Sequence, residues 1–193
     1  MVVRALVVVV AVGSLAGCGG SDEAPISSGT TTVPVSSTAT PVPALEGATT
    51  DPVVWRGAST HVELLTAVRA SRHPGYDRLV FEFREGVPGY DIRYVEPPVR
   101  ADGSGAEVAV AGSAVLRVRM DPALDADLTK ESAPLTYNGP TRFSPDTESI
   151  AELARAGGFE GVLTWAVGLE ERQPFRVTRL QDPARLVIDV SAT

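Results

Sequence analysis

One cysteine, one lysine and two histidines are all that this 193-residue chain offers of the side chains most used for thiol, ammonium and metal chemistry. With Cys18 alone no internal disulfide can close, so any folded part needs an ordinary hydrophobic core and enough length to build one. Metal-assisted hydrolysis needs several ligands and an open position. His61 and His73 stand twelve residues apart, with His73 in a turn before Pro74, and read as two solvated histidines. There is no G-x-S-x-G elbow and no G-x-x-x-x-G-K-S/T phosphate loop, and "DGSGAE" reads as a tight turn. "DPALDADLTKE" spaces three aspartates, but Lys130 stands where a calcium loop starting at Asp125 needs glycine. A glycosidase needs only two carboxylates, yet nothing singles out a pair among 24 acids. The expectation is a protein without metal, cofactor or catalytic centre. Basic charge is short as well: 17 basic residues face 24 acidic ones, the reverse of a nucleic-acid binder. Sixteen of those 17 are Arg, a bias that base composition explains more readily than bidentate recognition.

Long apolar runs are missing too. Arg4 is followed by an apolar stretch from Ala5 to Val12, too short for a membrane span, which needs about 20 residues. A basic start, a short apolar core and small residues after it make a secretory signal. The small residues end in Leu15-Ala16-Gly17-Cys18, which resembles a bacterial lipobox. The reading is cleavage after residue 17 and a diacylglycerol on Cys18, the partner membrane being reached through that anchor on its exported face. Two or more chains, at about 0.8 kcal/mol per buried CH₂, hold such an anchor permanently. Loss of residues 1–17 removes only Arg4 and leaves 16 basic against 24 acidic residues, a formal charge of −8.

Residues 18–57 are rich in Ser, Thr, Pro and Gly and carry no apolar period, so a disordered stalk is expected there. As a flexible coil it reaches on the order of 35 Å. Trp55 marks the edge of the ordered region and is expected to dock on the domain.

From residue 58 to 193 the pattern turns to alternation. "HVELLTAVRA", "DRLVFEF", "YDIRYV", "EVAVAG", "AVLRVRM", "VLTWAVGLE", "FRVTRL" and "ARLVIDV" read as strands, with Pro- and Gly-containing turns between them. About eight short strands in this length predict an all-β fold, one antiparallel β-sandwich. "SPDTESIAELARAGG" departs from the pattern. Ser144 as N-cap, Pro145 at the first helical position and Gly157 as a stop favour a short helix over 145–156. The alternative is a hairpin pairing Ile150–Arg155 with the following strand. "LLTAV…DRLVFEF" also echoes "VLTWAV…ARLVIDV", as two related strand pairs of a pseudo-symmetric sandwich would.

"YDRLVFEF", "PGYDIRYV", the Gly-Ser-Gly turn before "VAVAGSAVLRVRM", "GGFEGVLTWAVGLEERQPFRVTRL" and "DPARLVIDV" together resemble the AMIN-like domain of bacterial envelope lipoproteins. The resemblance covers most of residues 60–190. It implies a non-catalytic envelope-binding or localisation module, the related AMIN domain being similar to a sandwich that localises amidases and secretins, with peptidoglycan as a proposed ligand. It also shifts residues 150–155 towards strand. No amidase domain follows the last strand, so any cargo is expected to be a separate protein.

Asp77, Arg78, Tyr90, Tyr94 and Trp165 are the binding candidates, because sugar rings stack on aromatic faces while Arg and Asp bond hydroxyls or carboxylates. Against this, Tyr94 and Trp165 alternate with core positions, and Asp77-Arg78 suits the pinning of a hairpin end. Two functions compete: a lipid-anchored sandwich that binds cell-wall glycan or an envelope protein, and a lipid carrier whose curved sheet holds an acyl chain in a continuous apolar cavity.

Overall fold

Strands account for all the regular structure in residues 44–57 and 59–192, the part of the chain that the computed structural model describes. In chain order they are β1 (Val53–Trp55), β2 (Glu63–His73), β3 (Tyr76–Phe83), β4 (Gly89–Val95), β5 (Val99–Arg100), β6 (Glu107–Val108) and β7 (Ala114–Asp121). There follow β8 (Ala123–Leu124), β9 (Arg142–Phe143), β10 (Ile150–Phe159), β11 (Val162–Leu169), β12 (Phe175–Leu180) and β13 (Arg185–Ser191). A six-stranded sheet runs β1-β4-β7-β11-β10-β9, a five-stranded sheet runs β12-β13-β3-β2-β8, and β5-β6 is a separate hairpin. Neighbours are antiparallel except β2 and β8. The signal peptide and Cys18 lie outside the described residues.

Alternation explains how the sheets meet. Leu79, Phe81 and Phe83 of β3, with Leu186, Ile188 and Val190 of β13, turn to one side. They meet Leu116, Val118 and Met120 of β7 and Leu163, Trp165, Val167 and Leu169 of β11 in one core cluster. All of these side chains are at most 2% exposed. This packing gives the two-layered sandwich expected from the pattern. It gives no support to the lipid carrier, because the faces that would line an acyl cavity are packed against each other. An apolar-lined hollow of about 580 Å³ beside Val62, Leu64, Leu124 and Leu128 also has His61, Arg84, Glu85 and Asp127 in its walls.

Three expectations are corrected. First, no helix forms over 145–156: β10 occupies Ile150–Phe159 and pairs along its length with β11. A helix this short is marginal on local signals alone, and the strand gains a ladder with β11 plus a partial one with β9. The family resemblance had the better reading.

Second, residues 49–55, expected as part of the stalk, are ordered against the sandwich. Thr49 exchanges backbone hydrogen bonds of 2.9 and 2.8 Å with Phe175, and β1 pairs with β4 through Val53–Ile92 to Trp55–Tyr90. Trp55 lies 5.8 Å from Tyr90 between ring centroids, and the Arg179 guanidinium sits 3.8 Å from the Trp55 ring. Strand β4 would otherwise leave a row of unpaired backbone groups at a sheet edge; β1 covers it, and Thr49 caps the start of β12 at Phe175.

Third, the echoed motifs are not equivalent hairpins. "LLTAV" and "DRLVFEF" are paired neighbours in β2 and β3, whereas "VLTWAV" and "ARLVIDV" fall in different sheets. Shared strand chemistry accounts for their likeness.

Candidate functional site

The five residues picked from the sequence are not brought together. On β3, Asp77 faces inward and is fully buried; its Oδ2 accepts the backbone N–H groups of Glu148 at 2.9 Å, Ile150 at 3.2 Å, and Ser149. Arg78, one residue on, faces out from the five-stranded sheet. Its Nε and Nη2 donate to Asp189 at 2.7 and 3.0 Å, and Arg176 Nη2 donates to the same carboxylate at 2.7 Å. Tyr90 is 8% exposed and belongs to the core. The Tyr94 hydroxyl donates to the Gln173 carbonyl at 2.5 Å and accepts its N–H at 3.1 Å, while Arg172 covers the ring at 4.6 Å. Burial pushes both phenols up, the bond to Gln173 opposing this at Tyr94. Trp165 has no exposed surface and stands between Phe81 and Tyr137. Asp77 and Trp165 thus have no exposed surface, whereas Tyr90 keeps an edge in a surface recess lined also by Trp55, Arg56 and Arg93.

The Arg78–Asp189–Arg176 group makes a pH-dependent contribution to stability. Burial pushes the Asp189 carboxyl up, but hydrogen bonds and charge from Arg78 and Arg176 outweigh it and hold the group below the usual Asp range. The unfolded carboxyl keeps about 3.9. The stabilisation is thus present above that value and lost as pH falls through the lower folded value. Asp189→Asn is expected to cost roughly 2 kcal/mol near neutral pH, discounted because both arginines are a third exposed. It should also shrink the acid-side loss of stability, read from urea unfolding between about pH 6 and pH 2. Parallel curves for variant and parent would remove Asp189 from this role.

A different place gathers unpaired polar groups. Strands β5 and β6 fold over the outer face of the six-stranded sheet, where Val99 packs with Val115, Ala156 and Ala166. Small residues let the hairpin lie close. At Gly157 an added Cβ would sit 2.7 Å from the Asp102 nitrogen, which itself donates to the Ala156 carbonyl at 3.2 Å. Between hairpin and sheet a cleft of about 270 Å³ remains. Alternation on β7 turns Arg117 and Arg119 outward into its lining. Thr164 of β11, paired with Arg119, joins them, and Pro98, Arg100 and Asp102 form the hairpin side.

Six buried side-chain atoms lack a hydrogen-bond partner among the described residues, and three of them belong to residues that line this cleft: Arg117 Nε, Thr164 Oγ1 and Asp102 Oδ2. A buried polar atom without a partner costs about 1–3 kcal/mol, so three on the residues around one hollow single it out as the candidate site. The neighbouring cations are already matched. Arg119 pairs with Asp121 at 3.1 Å, Arg100 with Glu107 at 3.0 Å and Arg93 with Asp91 at 2.6 Å. Arg117 has no ion pair among the described residues. The outward placement of Arg117 and Arg119 was readable in "AVLRVRM". The cover over them was not, because nothing local says where a two-residue hairpin will lie.

Sandwich and cleft together define a β-sandwich module with a polar recess on the outer face of one sheet. Residues 63–192 match the AMIN-like domain family, and the chain belongs to it. No curated protein and no solved structure matches it. The match begins at β2, so the segment carrying β1 precedes the family region.

Proposed function

We propose that this protein is a lipid-anchored, extracytoplasmic AMIN-like module that binds cell-wall peptidoglycan without transforming it. Membership of the family suggests an envelope-associated, wall-binding role. The observation that carries the reading is the cleft beside Arg117, whose unpaired polar groups suit a wall fragment carrying amides, hydroxyls and carboxylates. Cys18 supplies the tether to the exported face of the cell membrane, residues 18 to about 44 the stalk, and the following residues the wall-facing body. The stalk then sets how far the body reaches from the bilayer.

The mature chain carrying Cys18→Ser, purified without lipid, is expected to co-sediment with isolated wall sacculi in a saturable manner. The native chain is expected to take a clickable fatty acid in cells, and Cys18→Ser to take none. A mature chain that stays in the supernatant would end the wall-binding reading, and an unlabelled native chain would end the anchoring one.

A further inference from the structure

We propose that the cleft beneath the β5–β6 hairpin is a receptor for a zwitterionic α-amino carboxylate, with Arg117 and Thr164 taking the carboxylate and Asp102 taking the ammonium. This deepens the wall-binding reading and rests on it.

Opposite charges that line one recess without pairing are the first argument. Arg117 and Asp102 both border the cleft, yet no ion pair joins them, and Arg117 Nε and Asp102 Oδ2 are each buried without a partner. Their separation is built into the backbone. Arg117 is held in the β7 ladder opposite Arg93 and Ala166. Asp102 is held by its N–H to Ala156 at 3.2 Å and by its carbonyl accepting the Ser104 N–H at 3.0 Å. A strand residue and a turn residue pinned through its backbone keep such a gap open for a ligand that bridges it.

The charge pattern chooses the ligand. A guanidinium fork matches a carboxylate, and a threonine hydroxyl donates beside it. Thr164 is 1% exposed and its hydroxyl has no other partner. A phosphate would also suit Arg117, but it would meet the negative charges of Asp102 and Glu96 in the same walls. A bare cation would meet Arg100, Arg117 and Arg119. Only a ligand with both signs close together answers both sides. Size agrees: a volume of about 270 Å³ lies below the roughly 300–1,000 Å³ of drug-sized sites. It holds a group the size of an amino acid and not a glycan strand. In a wall peptide, the free side-chain end of a diamino acid presents this group; a free amino acid presents it too.

The test is a titration of the mature Cys18→Ser chain, followed by amide chemical shifts, with four probes: diaminopimelate, D-alanine, N-acetyl-D-alanine and D-alanine amide. The two unblocked probes are expected to move amides around residues 100–102, 117 and 164. Blocking either the amine or the carboxylate is expected to weaken binding at least about tenfold. Arg117→Gln, an outer-face substitution whose folding is to be checked by circular dichroism, is expected to abolish the response to D-alanine. Asp102→Asn is expected to erase the preference for D-alanine over its N-acetyl form. Stronger binding of diaminopimelate than of D-alanine assigns the site to wall peptide, and equal binding assigns it to free amino acids. Equal responses to D-alanine and both blocked forms, or none to any probe, overturn the inference. A chain that sediments with sacculi but ignores all four probes loses this inference alone. One that binds D-alanine but not sacculi keeps the cleft and loses the wall reading.

Discussion

Trp165→Ala is expected to cost about 3–5 kcal/mol of folding stability and to leave ligand affinity unchanged in the fraction that stays folded. Trp165 is the largest of the fully buried side chains and touches both layers. Its ring meets Phe81 of β3 edge-on at 5.9 Å and Tyr137 at 5.8 Å between centroids. Alanine there leaves a void in the middle of the sandwich that the surrounding strands cannot collapse to fill, so the cavity adds to the lost transfer energy. A single domain has only about 5–15 kcal/mol to lose. The indole N–H has no hydrogen-bond partner among the described residues, so Trp165→Phe removes area and no bond and should cost less than half as much. Urea unfolding followed by circular dichroism separates the two variants. A Trp165→Ala protein with parental stability but no affinity would return Trp165 to the binding surface.

Asp77→Ala is expected to cost about 3 kcal/mol. The Oδ2 atom accepts three consecutive backbone N–H groups, those of Glu148, Ser149 and Ile150, from a segment about 70 residues further along the chain. Two of those bonds lie among buried partners, and removal of the acceptor strands their donors where water does not reach. Asp77→Asn keeps an acceptor oxygen without the charge, and charge-assisted bonds are roughly twice as strong as neutral ones; its cost should be nearer half. Hydrogen exchange locates the effect, because amides 148–150 should lose protection first while β13, on the other side of β3, stays protected. Uniform loss of protection across both sheets would show that Asp77 is not a local fastening of β10.

Much of the architecture was legible in side-chain order. Seven of the eight strands longer than five residues were read from alternation, because successive side chains on an extended backbone point to opposite faces. The same rule separated Leu79, Phe81 and Phe83 from Arg78 and placed Trp165 among core positions as well as among binding candidates. β10 was the eighth. Ser144, Pro145 and Gly157 carry helix-end chemistry, and that local signal yields to pairing with β11. The candidate site was less legible. Asp77 and Arg78 were noticed for their charge, but their partners, Glu148–Ile150 and Asp189, are remote in the chain. Asp102 and Thr164 carried no signal at all.

Alternation, turn residues and the scarcity of Cys, His and Lys were enough to specify a disulfide-free all-β body behind a lipobox-like start, since these follow from each residue's own geometry and chemistry. Which strands become neighbours could not follow from them. Ladder bonds join backbone groups that every residue shares, so pairing is chosen by how whole faces pack across long loops. That choice placed residues 53–55 along the edge of β4 and Thr49 against the start of β12, gave Asp77 to the start of β10, and laid a short hairpin over the Ala-rich outer face. In doing so it left Arg117, Thr164 and Asp102 around one recess with nothing of their own to bind.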